Sequence, residues 1–164
     1  MTLPQRKHQR LKHFDYRRDG VYFLTICTFE RGHLLGIIDN GVMHLNQFGE
    51  IIKSELMRIP DHHPSVSIDN FVVMPNHIHI IIVINNQNQC QGLAERSRPF
   101  PTVSTIVGLY KSGVTNKIHK INPSLTVWQK SFHDHIIRDE NDYSHIWDYI
   151  EYNPMKWELD KYFT

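Results

Sequence analysis

The segment Met74-Pro75-Asn76-His77-Ile78-His79-Ile80-Ile81-Ile82-Val83-Ile84 constrains this chain more than any other. It is the most apolar run in the sequence, and it contains two histidines one residue apart. Alternation along a β-strand sends His77 and His79 to one face and Ile78 to the other. Ile80 to Val83 are apolar at every position, which suits a central strand covered on both faces. Two adjacent imidazoles on a buried strand are costly unless something meets their lone pairs. A metal ion is one such partner, and ordinary hydrogen bonds at a core or rim are the other. The pair alone leaves these readings evenly matched.

The rest of the chain fits a cytoplasmic enzyme or binding protein. Its 164 residues suit one domain with a real core, and 40% hydrophobic with 21% charged residues is ordinary for a globular protein. We expect a basic N-terminal arm over residues 1–20 and a single domain over 21–164. No apolar run approaches the roughly 20 residues that cross a membrane, and no apolar segment follows the basic N-terminus to make a secretory signal. Cys27 and Cys90 are too few for a disulfide framework and read as reduced thiols. A net charge of +1 gives no global nucleic-acid signal. Locally, Arg6, Lys7, Arg10, Lys12, Arg17 and Arg18 face only Asp15 and Asp19. Such an arm can track phosphates or be a solvated tail.

In chain order, Val21–Phe29 reads as a strand rich in β-branched and aromatic residues. Leu34–Asp39 and Val42–Leu45 flank Asn40-Gly41, the strongest short hairpin signal. Asn46 is placed to cap a helix carrying Phe48, Ile51, Ile52, Leu56 and Ile59, which Pro60 and Pro64 end. Val66–Val73 reads as a strand antiparallel to the histidine strand across the Pro75-Asn76 turn. Residues 85–101 read as a polar loop. Thr102 or Ser104 can cap a helix to about Lys120, with Val103, Ile106, Val107, Tyr110, Val114 and Ile118 as its apolar stripe and Lys111, Lys117, His119 and Lys120 on its polar side. Leu125–Ser131 suits a short strand and Glu140–Tyr152 a last helix, after which Trp157, Tyr162 and Phe163 can dock the tail. This order predicts an α+β sandwich, a mostly antiparallel sheet with helices packed on one face.

The second informative segment is Trp147-Asp148-Tyr149-Ile150-Glu151-Tyr152-Asn153-Pro154. A helix would put Tyr149 and Asn153 on one face. A tyrosine hydroxyl can attack phosphorus, conserving the energy of the broken phosphodiester in a phosphotyrosine. Charge then builds on the non-bridging oxygens, where a Lewis acid is needed. Two strand histidines and one amide or carboxylate oxygen from a helix would hold that cation. Taken alone, Tyr149 reads better as a packed, hydrogen-bonded aromatic at the end of an amphipathic helix.

Together, MPNHIHIII, WQKSFHDHIIRD and DYIEYNP in this order make the chain resemble the single-tyrosine HUH transposase superfamily (IS200-like) and, within it, the REP-associated tyrosine transposases. The resemblance covers about Val21 to Trp157. It implies a ferredoxin-like domain that cuts and rejoins single-stranded DNA, usually at a hairpin-associated site, through a 5′-phosphotyrosine. Residue by residue, it implies His77 and His79 as metal ligands for Mg²⁺ or Mn²⁺, Tyr149 as nucleophile, and Asn153 where some relatives supply a third ligand. Tyr110 is a rival nucleophile that lacks a polar partner at i+4 and lies outside the family's Tyr-Ile-x-x-Asn-Pro pattern. His133 and His135 repeat the spacing of the first pair without an implied role.

Under this resemblance the basic arm, Arg96 and Arg98 in the long loop, and Lys111, Lys117 and Lys120 become candidate DNA contacts, and Trp128 could stack on a base or belong to the core. The expected partner is single-stranded or hairpin DNA, with no membrane. Relatives in which the tyrosine helix of one subunit serves the histidines of another make a homodimer conceivable, and a monomer equally so. The alternatives are a catalytically silent DNA-binding module of the same fold and a metal-dependent phosphodiesterase that uses water.

Overall fold

The structure, a computed structural model, describes residues 19–86 and 101–163. The first strand, β1 (Gly20–Cys27), ends two residues earlier than the sequence suggests. It gives way to a 3-10 turn, Phe29–Arg31, in which Glu30 and Arg31 adopt positive φ of 51° and 56°. The hairpin β2 (Gly36–Asp39) and β3 (Val42–Leu45) turns at Asn40 and Gly41, both at positive φ, as the Asn-Gly pair demands. Helix α1 (Gln47–Met57) starts at Asn46, whose side chain accepts from the Phe48 and Gly49 amides. Pro60 sits not at the end of α1 but in the first turn of a separate short helix, α2 (Ile59–His62), where its missing N–H costs nothing.

Strands β4 (Val66–Val73) and β5 (His77–Ile84) follow, then helix α3 (Val103–His119), capped by Thr102. The expected strand over Leu125–Ser131 does not form. Trp128 makes one isolated bridge to Thr28, and the edge strand β6 lies further on, at His133–Ile137. Polar residues at alternate positions (His133, His135) mask β6 in the sequence, because an edge strand buries only part of one face. Helix α4 (Glu140–Glu151) is capped by Asp139, and a 3-10 segment, Pro154–Leu159, leads into the tail.

The main sheet has the order β4-β5-β1-β6 with every neighbouring pair antiparallel, and β2-β3 forms a separate ribbon. The fold is α+β and ferredoxin-like, as the sequence predicts. One face carries Tyr22, Leu24 and Ile26 of β1 with Ile78, Ile80, Ile82 and Ile84 of β5, packed against Ile52 and Leu56 of α1. The six stripe residues of α3 complete that core, and all are buried. α1 and α3 therefore share one face, and α4 lies across the other, so the helices do not all pack on one face as the order of elements predicts; the apolar Val21, Phe23 and Ile81 on the second face demand a cover of their own. Ile150, Tyr143, Ile146 and Trp147 of α4 pack there on Val21, Phe23, Ile81 and Ile137. This is why β5 is apolar at every position from Ile80 to Ile84, since both of its faces are covered.

A bulge between Ile68 and Asn70 of β4 aims two side chains at α4. Asp69 accepts from the Tyr143 hydroxyl at 3.0 Å, and Asn70 donates to Glu151 at 3.0 Å. His135 of β6 meets Asp142 at 2.8 Å near the helix start. The helix is thus tied to both edges of the sheet. Among the described residues no helix is long and apolar enough to cross a membrane.

Ile82 is fully buried on the α1–α3 face. Ile82→Ala is expected to lower unfolding stability by about 2–5 kcal/mol in urea titration, because the close-packed core relaxes only partly around the lost methyls. A loss below about 1 kcal/mol would contradict this packing.

Candidate active site

Strand alternation places His77 and His79 on the α4 side of the sheet, and both are fully buried. Their Nε2 atoms face each other at 3.0 Å. The other nitrogen of each ring is held from behind. His77 Nδ1 meets Asn76 Oδ1 at 2.8 Å, and because an amide oxygen only accepts, His77 Nδ1 carries the proton and Nε2 the lone pair. His79 Nδ1 meets the Thr25 hydroxyl at 2.9 Å, from the cross-strand neighbour on β1.

Burial sets the charge of this pair. Desolvation pushes His77 down to about 4, only partly opposed by the Asp160 carboxylate. His79 is held well below the usual histidine range by burial and by His77 beside it. Both rings are therefore neutral at pH 7, the state that ligates metal.

Tyr149 reaches this pair from α4. Its hydroxyl lies 3.2 Å from His79 Nε2 and donates to Asp160 Oδ2 at 3.0 Å. The residue as a whole is 38% exposed, so Tyr149 stands at the surface edge of the site. Burial and the adjacent Asp160 carboxylate hold its proton on well above the usual tyrosine range. Asn153 shares the face of Tyr149, as the i,i+4 spacing predicts. Its Nδ2 donates to the same Asp160 oxygen at 2.8 Å. Its Oδ1 is buried with no hydrogen-bond partner among the described residues.

The residues fit a divalent cation. Two bonds of about 2.1 Å at right angles span about 3.0 Å, the separation of the two Nε2 atoms. Ligand atoms of His77, His79 and Asp160 lie within 4.8 Å of one another. The orphaned Asn153 Oδ1 is a further oxygen that a cation would satisfy. A set of two imidazoles and hard oxygens suits Mg²⁺ or Mn²⁺ as well as softer metals.

Asp160 is the residue that sequence reasoning missed. It lies in the tail, outside any periodic element, and comes to the site only because Trp157 and Tyr162 bury themselves against Cys27 and Met74. Tyr162 packs its ring 4.6 Å from the His77 centroid, and its amide donates to Asp160 Oδ1 at 2.7 Å. The docking of Trp157 and Tyr162 was legible in the sequence, but its consequence for Asp160 was not. Phe163 stays half exposed. Asn76 was also missed as an orienting residue, since Pro75-Asn76 reads as a turn. It is fully buried, and its Nδ2 donates to the Tyr162 carbonyl at 2.8 Å and the Arg31 carbonyl at 3.2 Å.

The other candidates lie elsewhere. Tyr110 is 5% exposed on α3, its hydroxyl donating to the Ile52 carbonyl at 3.1 Å across the sheet from His79, so it cannot serve as the nucleophile. Lys111 donates to the Gln129 and Ser131 carbonyls, and Lys117 pairs with Glu55 at 2.6 Å. Lys120 is exposed at the C-terminal end of α3. All three are on the α3 side and are not brought to the histidines. Trp128 packs against the α1–α3 core. Arg6, Lys7, Arg10, Lys12, Arg17, Arg18, Arg96 and Arg98, together with Cys90, lie outside the described residues.

Known proteins share this sequence and architecture. An uncharacterized protein of Haemophilus influenzae is 41% identical over 99% of this chain and 95% of its own. A second H. influenzae protein, provisionally named a REP-associated tyrosine transposase, is 26% identical over 87% of this chain and 76% of its own. Among solved structures, a REP-associated tyrosine transposase bound to a REP hairpin superposes with a TM-score of 0.63, covering 93% of this chain and 77% of that one at 22% identity. A protein of Deinococcus radiodurans, provisionally named a transposase, superposes with a TM-score of 0.53 at 16% identity, covering 87% and 95%. No known family profile matches the chain.

Removing the amide that orients His77 tests the geometry. Asn76→Ala is expected to weaken Mn²⁺ binding about 10- to 100-fold in calorimetric titration of protein whose fold is verified by circular dichroism. Unchanged affinity would show that the ring is oriented by something else, or that the ion binds elsewhere.

Proposed function

We propose, for a chain that belongs to one family with the 41% identical H. influenzae protein and to the REP-associated type of the single-tyrosine HUH transposases, that it cleaves single-stranded DNA and transfers the strand through a 5′-phosphotyrosine. The observation that carries this reading is the meeting of Tyr149 with His79 at 3.2 Å, from segments seventy residues apart. A nucleophile and a neutral, paired imidazole site in contact are what phosphoryl transfer to tyrosine requires.

The residues divide the work as follows. His77 and His79, with Asp160 and the Asn153 amide oxygen at hand, would hold a Mg²⁺ or Mn²⁺ ion, which would supply Lewis acidity at the non-bridging oxygens of a DNA phosphate. Asn76 and Thr25 fix the two rings from behind. The Tyr149 oxygen attacks phosphorus, the P–O3′ bond breaks, and the departing O3′ takes up a proton from solvent, so that the strand leaves with a free 3′-hydroxyl. Asp160, which already accepts the phenol hydrogen bond at 3.0 Å, lies ready to take the proton. A 3′-hydroxyl from another end then attacks the phosphotyrosine, re-forming the phosphodiester and returning the proton to Tyr149. Every group named here comes from one chain, so this reading needs no partner copy. The basic arm with Arg96 and Arg98 holds the DNA backbone, and the setting is the cytoplasm.

The test is a labelled single-stranded hairpin substrate incubated with Mn²⁺ and run on a denaturing gel. The wild-type chain is expected to give a labelled protein band that Tyr149→Phe abolishes and Tyr152→Phe retains. Cleavage persisting in Tyr149→Phe would assign the attack to water. Retarded DNA that is never cut would leave a binding module.

A further inference from the structure

A cleft of about 410 Å³ opens beside the histidine pair, between β6 and the tail. Phe23, Thr25, Arg31, His133, Lys161 and Tyr162 line it, and Asp134 and His135 complete its wall. None of the catalytic, metal or DNA-contact residues assigned from the sequence lines it, although His133 and His135 stood out there.

Three of its residues touch the candidate metal ligands directly. Phe23 stacks on His79 with centroids 5.2 Å apart and planes 29° apart. Thr25 holds His79 Nδ1, and Tyr162 lies against His77. Whatever occupies the cleft is therefore next to the reacting centre. Two cations stand over the same aromatic wall. The Arg31 guanidinium lies 5.2 Å and the Lys161 ammonium 5.0 Å from the Tyr162 ring centroid. Neither forms an ion pair among the described residues.

The position of Arg31 is also built rather than incidental. It sits in the turn with two successive non-glycine residues at positive φ, a conformation that L residues avoid. The Asn76 amide donating to the Arg31 carbonyl and the Thr28 hydroxyl donating to the Gly32 carbonyl at 2.8 Å hold that turn. The same Asn76 that orients His77 thus also fixes Arg31 beside the cleft.

We propose that this cleft is a nucleotide subsite. It holds one unpaired nucleotide adjoining the reacting phosphate, with the base against the partly exposed Phe23 ring and its own phosphate between Arg31 and Lys161. The chemistry follows from the lining: an aromatic face stacks on any base, and two cations that form no ion pair among the described residues match a phosphodiester. The volume lies at the small end of ligand sites, roughly 300–1,000 Å³, as one nucleotide requires. The proposal rests on the single-stranded DNA reading given above.

The experiment uses the full chain carrying Tyr149→Phe, so that no strand is cut, and a fluorescein-labelled oligothymidylate titrated across a range of potassium chloride concentrations. Arg31→Ala and Lys161→Ala are each expected to reduce the slope of log affinity against log salt, and together by about 0.7, the value of one phosphate contact on a single strand. An oligothymidylate carrying 5-iodouracil is expected to photo-crosslink to Phe23 in peptide mapping. Normal binding with an unchanged slope in both variants, or crosslinks found only outside the cleft, would overturn the subsite and leave the functional reading intact. Failure of the Tyr149→Phe chain itself to bind the strand would remove the single-stranded DNA reading and the subsite with it.

Discussion

The 3.0 Å approach of two imidazole nitrogens is the constraint on which the rest of this structure depends. Two neutral rings that close satisfy each other only when one supplies a proton, and a cation can take the same place with both lone pairs as ligands. Reaching that state takes several independent features. Alternation along β5 puts both rings on one face. Burial removes their charge. Asn76 and Thr25 then use up the rear nitrogens, so that the front ones converge. No single feature would suffice, because a solvated histidine pair would be partly protonated near neutral pH, and an unsupported one would rotate apart.

The sheet separates stability from chemistry by its two faces. The α1–α3 face is a dense aliphatic core and holds no candidate ligand. The opposite face carries the histidines, and α4 with the tail covers it through polar ties as well as apolar packing. Asp69, Asn70 and Asp142 anchor the helix at the sheet edges. The position of Tyr149 over His79 is thus set by contacts far from its hydroxyl. Asp160 joins the tail to the site by accepting from Tyr149, Asn153 and the Tyr162 amide together.

Much of this was legible in the sequence, wherever periodicity or a local signal carries the information. The Asn46 cap, the Asn40-Gly41 turn and the six buried residues of α3 all follow from short-range rules. So did the i,i+4 pairing of Tyr149 with Asn153. The edge strand was misplaced because β6 alternates polar residues over a half-covered face. Asp160 and Arg31 were invisible for a different reason. Each reaches the centre through an irregular segment whose path is fixed by tertiary contacts, Trp157 and Tyr162 for one and Asn76 for the other. The lysines of α3 show the converse. Their spacing was read correctly, but which side of the sheet that helix would cover is not written in its own sequence.

The central claim is that His77 and His79 form one cation site in contact with Tyr149. Its most direct test is anomalous diffraction at the manganese edge from crystals of the full chain grown with Mn²⁺. The account predicts a single strong peak within bonding reach of both Nε2 atoms, bordered by Asp160 or Asn153, with the Tyr149 hydroxyl beside it. A peak on other residues, or none at saturating ion with the two rings still at 3.0 Å, would contradict it.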